Sequence, residues 1–225
     1  MRMHYNRIAG QNLERLAALS DGIFAVAMTL LILDIHVPEI AQAMSGIIQQ
    51  PLWASGALQP ELALWRALIQ LGPRLLTYLM SFLTLGIFWV GQQTQLNHFA
   101  SSDRNLTWIH LGFLIAVVLM PFSTGLLSGN ITIRLALVVY WLNIVLLGTL
   151  LYLSIRYAKR AGLVKDEIAL EMRSAHERRI ISAQIVYAIA VLLCVINTYL
   201  SVAVIICVQL NYALVPRIRW LERLL

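Results

Sequence analysis

Six stretches of this chain are apolar over lengths that a soluble globule has no means of burying. They run about 15–35, 74–96, 105–128, 132–156, 180–197 and 200–216. About 20 apolar residues in a helix cross a hydrocarbon core. Backbone N–H and C=O groups find no water in that medium, so a spanning segment of this kind must bond internally as a helix. Composition removes the main alternative. Of the 225 residues 60% are hydrophobic and only 12% are charged, with a mean hydropathy of +0.75. A folded soluble domain carries far more polar surface than that. The expected fold class is an all-α integral membrane protein, a single six-helix transmembrane domain over 1–225 embedded in the lipid bilayer.

The connections are read from punctuation. A polar stretch with Gln49, Gln50, Pro51, Gly56 and Pro60 follows the first span. A short helix over 61–71 is then expected, opened by Pro60 and stopped by Gly72-Pro73. Ala41-Gln42-Ala43 looks like a signal-peptidase site, but the run from Leu16 to Ile35 is long for a secretory segment and carries Asp21 and Asp34, so it is read as a retained helix. The segment 159–179 alternates charge sign and places Leu163, Ile168 and Met172 at helical spacing. It is expected to be a solvated cytoplasmic helix.

Charge sets the orientation. Arg66, Arg74 and Arg134 fall on one side of the six spans, and the other fourteen of the 17 Lys and Arg residues fall on the side of both termini. Positive residues concentrate on the cytoplasmic side, so both termini are expected there. The net charge of +6 therefore reads as a topology signal rather than a nucleic-acid surface.

Little in the sequence points to catalysis. His4, His36, His98, His110 and His176 are scattered. No nucleophile–base order, carboxylate pair, phosphate-cradling loop or metal cluster emerges, so neither an enzyme nor a bound metal or cofactor is expected. Cys194 and Cys207 lie in apolar segments and read as small packing residues.

The first span is the informative one, because an ionisable group inside a membrane helix is a functional-site hypothesis by default. At 100° per residue with Val26 as zero, Arg15, Leu19, Gly22, Leu30 and Leu33 fall within about 40° of Val26, and Thr29 lies at about 60°. Asp21 points about 140° away. Two readings follow. Either Asp21 lines an ion path and Val26 faces protein, or the Val26 row lines the path and Asp21 is hydrogen-bonded among neighbouring helices. In a plainer form of the second, Ser20 and Asp21 simply hold helices together. Gln92, Gln93, Trp89, Trp108, His110 and Asn143 are the intramembrane groups available as partners. Arg15 and Asp21 stand six residues apart and do not face each other on one helix.

These residues also carry a resemblance. Arg15-x-x-x-Leu19-Ser20-Asp21, continued by Gly22-Ile-Phe-Ala-Val-Ala-Met-Thr29-Leu-Leu and Leu33-Asp34-Ile35, resembles the first-helix signature of the prokaryotic relatives of the endolysosomal potassium channel, transmembrane protein 175. Tyr78-Leu-Met-Ser81-Phe82 with Ile87-Phe88-Trp89 is similar to the family's second helix. Trp108 with Leu119-Met120-Pro121-Phe122-Ser123-Thr124 is similar to its third. The second half agrees mainly in hydropathy. Leu19 replaces the usual Phe, Gln92-Gln93 stand where a His pair is often found, and His110 occupies a position commonly Asn.

The resemblance implies a potassium-permeable cation channel with no carbonyl filter, built as a homotetramer in the prokaryotic cell membrane around four first helices. Val26 would form the narrow ring, with Leu30 and Leu33 as further rings, Thr29 as a polar layer and Gly22 on the same face. Potassium or another monovalent cation is the permeant species. Ser20, Asp21 and His110 would belong to the hydrogen-bond network holding the lining helix, with Arg15 anchoring its cytoplasmic end. A coupled secondary transporter using Asp21 and His110 is the alternative, and an assembly subunit without flux a weaker one.

Overall fold

In the computed structural model, residues 12–38, 51–55, 57–165 and 170–214 are described. The N-terminal residues 1–11 and C-terminal residues 215–225, to which the expectation of cytoplasmic termini refers, lie outside them, as do 39–50. Eight α-helices are described: α1 Leu13–Leu30, α2 Gln59–Gln70, α3 Gly72–Asn97, α4 Arg104–Val118, α5 Met120–Gly129, α6 Arg134–Arg160, α7 Leu170–Leu192 and α8 Thr198–Leu214. Five stretches are long and apolar enough to cross a membrane, namely Leu13–Asp34, Gly72–Asn97, Arg104–Gly129, Arg134–Arg160 and Glu177–Val195. The chain is thus a multi-pass helical membrane protein. The sixth expected span, 200–216, corresponds to α8, which is apolar but only 17 residues long; residues 215 and 216 lie outside the described set.

Local chemistry explains the boundaries. Asn12 caps α1, its side chain accepting from the Arg15 N–H at 3.0 Å. Asp103 caps α4 in the same way, accepting from the Leu106 N–H at 2.8 Å. Such caps satisfy N–H groups that have no partner within the helix. The end of α1 tightens into a 3-10 turn over Leu31–Asp34. At the far end of α7, Arg134 donates to the carbonyls of Cys194 and Val195, each at 3.1 Å, and so closes the turn into α8.

The third span is found at Arg104–Gly129; within it α4 gives way to α5 at Leu119, because Pro121 has no N–H to continue the ladder. One expectation is corrected: 159–179 is not a helix of its own. Lys159 and Arg160 close α6, Gly162 turns the chain with a φ of 67°, and Val164 bridges to Phe99. Residues 166–169 are outside the described set, and from Leu170 the backbone is already α7. The apolar run of the fifth span continues that helix, so a separate surface helix has no place to end. Of the two cysteines, Cys194 is buried and Cys207 is exposed.

The interior is apolar with one polar seam. Tyr140 on α6 is fully buried, with its hydroxyl 3.0 Å from Thr84 and 3.3 Å from Ser81, both on α3. Thr124 of α5 reaches Ser81 at 2.7 Å, and Gln209 of α8 donates to Thr84 at 2.6 Å. Four helices therefore share one buried network, which fixes their rotation where van der Waals packing alone discriminates weakly. Tyr140→Phe should lower unfolding stability in mixed detergent micelles by roughly 0.5–1.5 kcal/mol, the scale of a membrane-interior hydrogen bond. Tyr140→Ala should cost about 3–5 kcal/mol, since a cavity is added. Equal losses in the two variants would show that the hydroxyl rather than ring packing matters there.

Candidate functional site

Helix α1 packs against α3, α4 and α5, and its two faces differ sharply. Leu16, Ser20, Phe24, Ala27 and Leu31 are buried. Their three- and four-residue spacing makes one continuous stripe. Phe24 meets Phe113 of α4 with ring centroids 6.0 Å apart, and Phe113 in turn meets Phe88 of α3 at 6.4 Å. The opposite face is open. Arg15, Leu19, Gly22, Val26, Thr29, Leu30 and Leu33 are all exposed, Val26 to 57% and Leu33 to 68%. The Thr29 hydroxyl folds back to donate to its own helix's Val26 carbonyl at 2.8 Å. Apart from Arg15 at one end, this face has no charge.

Between the two faces sits a polar anchor. The Ser20 hydroxyl donates to the Leu16 carbonyl at 2.9 Å and accepts from the Gln92 amide at 2.7 Å. Ser20 and Gln92 are both fully buried. One helical step away, Asp21 accepts from the Trp89 indole N–H at 2.8 Å and from the Gln93 amide at 2.5 Å, both on the same carboxylate oxygen. Trp89, Gln92 and Gln93 lie within little more than one turn of α3, so a five-residue segment there supplies every donor to the pair. Bonds to an ionised acceptor are shorter and stronger than neutral ones. Asp21 itself remains exposed in the single chain, at the edge of the contact rather than sealed within it. Its place about 140° from Val26 puts it on the seam between the buried stripe and the open face.

The remaining candidates are placed elsewhere. His110 is buried and pairs with Ser154 of α6 at 3.1 Å, with its ring 6.3 Å from that of Phe99. The structure therefore brings Ser20 and Asp21 together with Trp89, Gln92 and Gln93, and seats His110 against a different helix. Asn143 lies 3.2 Å from Ser123, and Trp108 is exposed. Among the described residues no group of three or more His, Cys, Asp or Glu is arranged to hold a metal ion. A second contact of α1 had no sequence signal on its partner's side. Asp34, in the 3-10 turn, accepts a hydrogen bond from the Ser128 hydroxyl of α5. Nothing about Ser128 distinguished it from other helix serines.

Ser20→Ala should strand the buried Gln92 amide and cost about 1–3 kcal/mol of unfolding stability. Adding Gln92→Leu should recover most of that, because both polar partners are then gone. Additive losses on denaturant titration would exclude a direct bond between the two.

Comparison with known proteins places this arrangement. Residues 15–121, which hold nearly all of α1, all of α2, α3 and α4, and the start of α5, match the family described as the endosomal/lysosomal potassium channel TMEM175. A protein named as a potassium channel in Streptomyces collinus is 37% identical over 114 residues, 51% of this chain and 47% of that protein. One of the same description in Chamaesiphon minutus is 28% identical over 89% of this chain and 93% of its own length. The human protein named endosomal/lysosomal proton channel TMEM175 is 30% identical over 49% of this chain and 20% of its own length. The chain thus spans about half the length of the first of these relatives and nearly all of the second. The crystal structure of a TMEM175 homologue from Chamaesiphon minutus, described as a lysosomal potassium-selective channel homologue, superposes with a TM-score of 0.70 at 24% identity, covering 90% of this chain and 96% of that one. That likeness extends the shared fold well beyond the matched segment. The matched family is one of ion channels and not of enzymes, and this chain is homologous to the endosomal/lysosomal potassium channel TMEM175 over 15–121 and shares the fold of a solved homologue over most of its length.

Proposed function

We propose that the protein is a potassium-permeable cation channel of the prokaryotic cell membrane, assembled as a homotetramer of six-helix subunits with both termini cytoplasmic. The observation that carries the reading is the open face of α1. A row of apolar residues with Thr29 runs the length of a helix whose other face is fixed to its own subunit. One copy encloses nothing, but rotational symmetry brings identical stripes together around an axis. Bacterial relatives named as potassium channels support potassium as the permeant ion.

In that assembly Val26 supplies the narrow ring, Leu30 and Leu33 further rings, Thr29 a hydroxyl layer, and Gly22 a wider point on the same face. A ring of apolar side chains holds back hydrated ions by dewetting, and its diameter and the cost of shedding water set what passes. No cofactor takes part, and the ions move down their gradient. Arg15 stands at the cytoplasmic end, where four positive charges would repel a resident cation and their long stems reach instead to the interface. Ser20 and Asp21, tied to α3, hold the lining helix at a fixed rotation.

Potassium efflux from liposomes tests this directly. Val26→Ala should change the flux about tenfold, equivalent to about 1.4 kcal/mol on the barrier, while Asp21→Asn should chiefly weaken assembly. Coupled transport through Asp21 and His110 requires the opposite: Asp21→Asn abolishes flux in a protein that remains a folded oligomer, and Val26→Ala leaves the rate unchanged.

A further inference from the structure

The lining helix is held at two levels, and only the inner one is accounted for by Ser20 and Asp21. Beyond Leu30 the helix narrows into the 3-10 turn Leu31–Asp34, a tighter winding that shifts each following side chain relative to α-helical register. Within that turn Leu31 is buried against the core and Leu33 is the most open of the row's large apolar side chains, at 68% exposure. Asp34 follows directly. Its carboxylate is half-buried and accepts from the Ser128 hydroxyl, 94 residues away in sequence. The other carboxylate oxygen lies over Gly125, one turn earlier on α5, where a Cβ would stand 3.4 Å from it. Ser128 also stands 3.1 Å from the Gly125 carbonyl, so its hydroxyl has a local alternative and is not compelled toward the acid by burial alone.

We propose that Asp34 is a positioning residue, whose carboxylate clamps the outer end of the lining helix to Ser128 on α5 and thereby sets where the Leu33 side chain points. The inner anchor ties α1 to α3 and the outer one ties it to α5, and the third span is interrupted at Leu119 between α4 and α5. Rotation of α1 is thus fixed independently at its two ends. Loss of the outer clamp leaves Val26 in place and frees Leu33. The role rests on the channel reading for its effect on ions, but not for its effect on Leu33.

The test is made on the full chain in liposomes, with Cys194→Ala, Cys207→Ala and Leu33→Cys introduced as the reporter background. Two quantities are read: the rate at which a charged methanethiosulfonate reagent modifies position 33, and the ratio of potassium to sodium flux. Asp34→Ala and Ser128→Ala should each change the modification rate by about tenfold, the scale of one lost hydrogen bond to a charged acceptor. Combining them should add little, since both remove the same bond. Asp34→Asn keeps an acceptor for Ser128 and should stay close to the parent. The flux ratio, measured with Leu33 restored, should shift in the same order across the variants. An unchanged modification rate in both Asp34→Ala and Ser128→Ala overturns the clamp. So does a large effect of Asp34→Asn with none of Ser128→Ala, which would assign the role to charge. Absence of potassium flux from the parent protein defeats the channel reading alone, because modification at position 33 is read without it.

Discussion

Every polar group on the first helix that turns toward the subunit is met by a donor or acceptor from another helix, and the architecture depends on that. In hydrocarbon there is no hydrophobic drive between helices, because lipid tails are as apolar as leucine. A helix such as α1, with apolar residues on both faces, has no strong preference for one rotation. Ser20 and Asp21 break the tie. Turning α1 the other way would leave Ser20, Gln92 and the Asp21 carboxylate without partners, each at a cost of kcal/mol scale. The bonds to Trp89, Gln92 and Gln93 therefore do more than attach α1 to α3. They decide that Phe24 and Ala27 face inward and that Val26 and Leu33 face outward.

The same logic organises the rest of the subunit. The seam of Ser81, Thr84, Thr124, Tyr140 and Gln209 lies earlier along α3 than Asp21's donors, and joins α3 to α5, α6 and α8. Helix α3 is thus held by polar contacts along its length, with α1 on one part and the last helix on another. Apolar packing of Phe24, Phe88 and Phe113 fills the space between. A rigid scaffold behind the open face of α1 is what the proposed channel lining requires, because a constriction is only as well defined as the helix that carries it.

How much of this was legible in sequence follows from which property each feature rests on. The five long spans were readable from apolar length, since a span is fixed by bilayer thickness and rise per residue. The open row on α1 was readable as a set of residues sharing one face, and Gln92, Gln93 and Trp89 could be named as groups needing partners. Their pairing with Ser20 and Asp21 could not be singled out, because His110, Asn143 and Trp108 were equal candidates by type. His110 went to Ser154 and Asn143 to the neighbourhood of Ser123. The merger of the charged segment into α7 was hidden, since alternating charge fits a free surface helix as well as the start of a span. Ser128 was invisible for a simpler reason: a serine on an apolar helix is unremarked until an acid is found opposite it.

By itself the sequence determined that the chain lives in a membrane, that its spans are helical, and that Val26, Leu30 and Leu33 share a face opposed to Asp21. These are consequences of hydropathy and of 3.6 residues per turn. The tertiary structure alone decided which of α1's two faces is covered, which donors answer Ser20 and Asp21, and how Asp34 meets α5. Those depend on the positions of helices far apart in the chain, and periodicity within one helix holds no information about the rotation or depth of its neighbours.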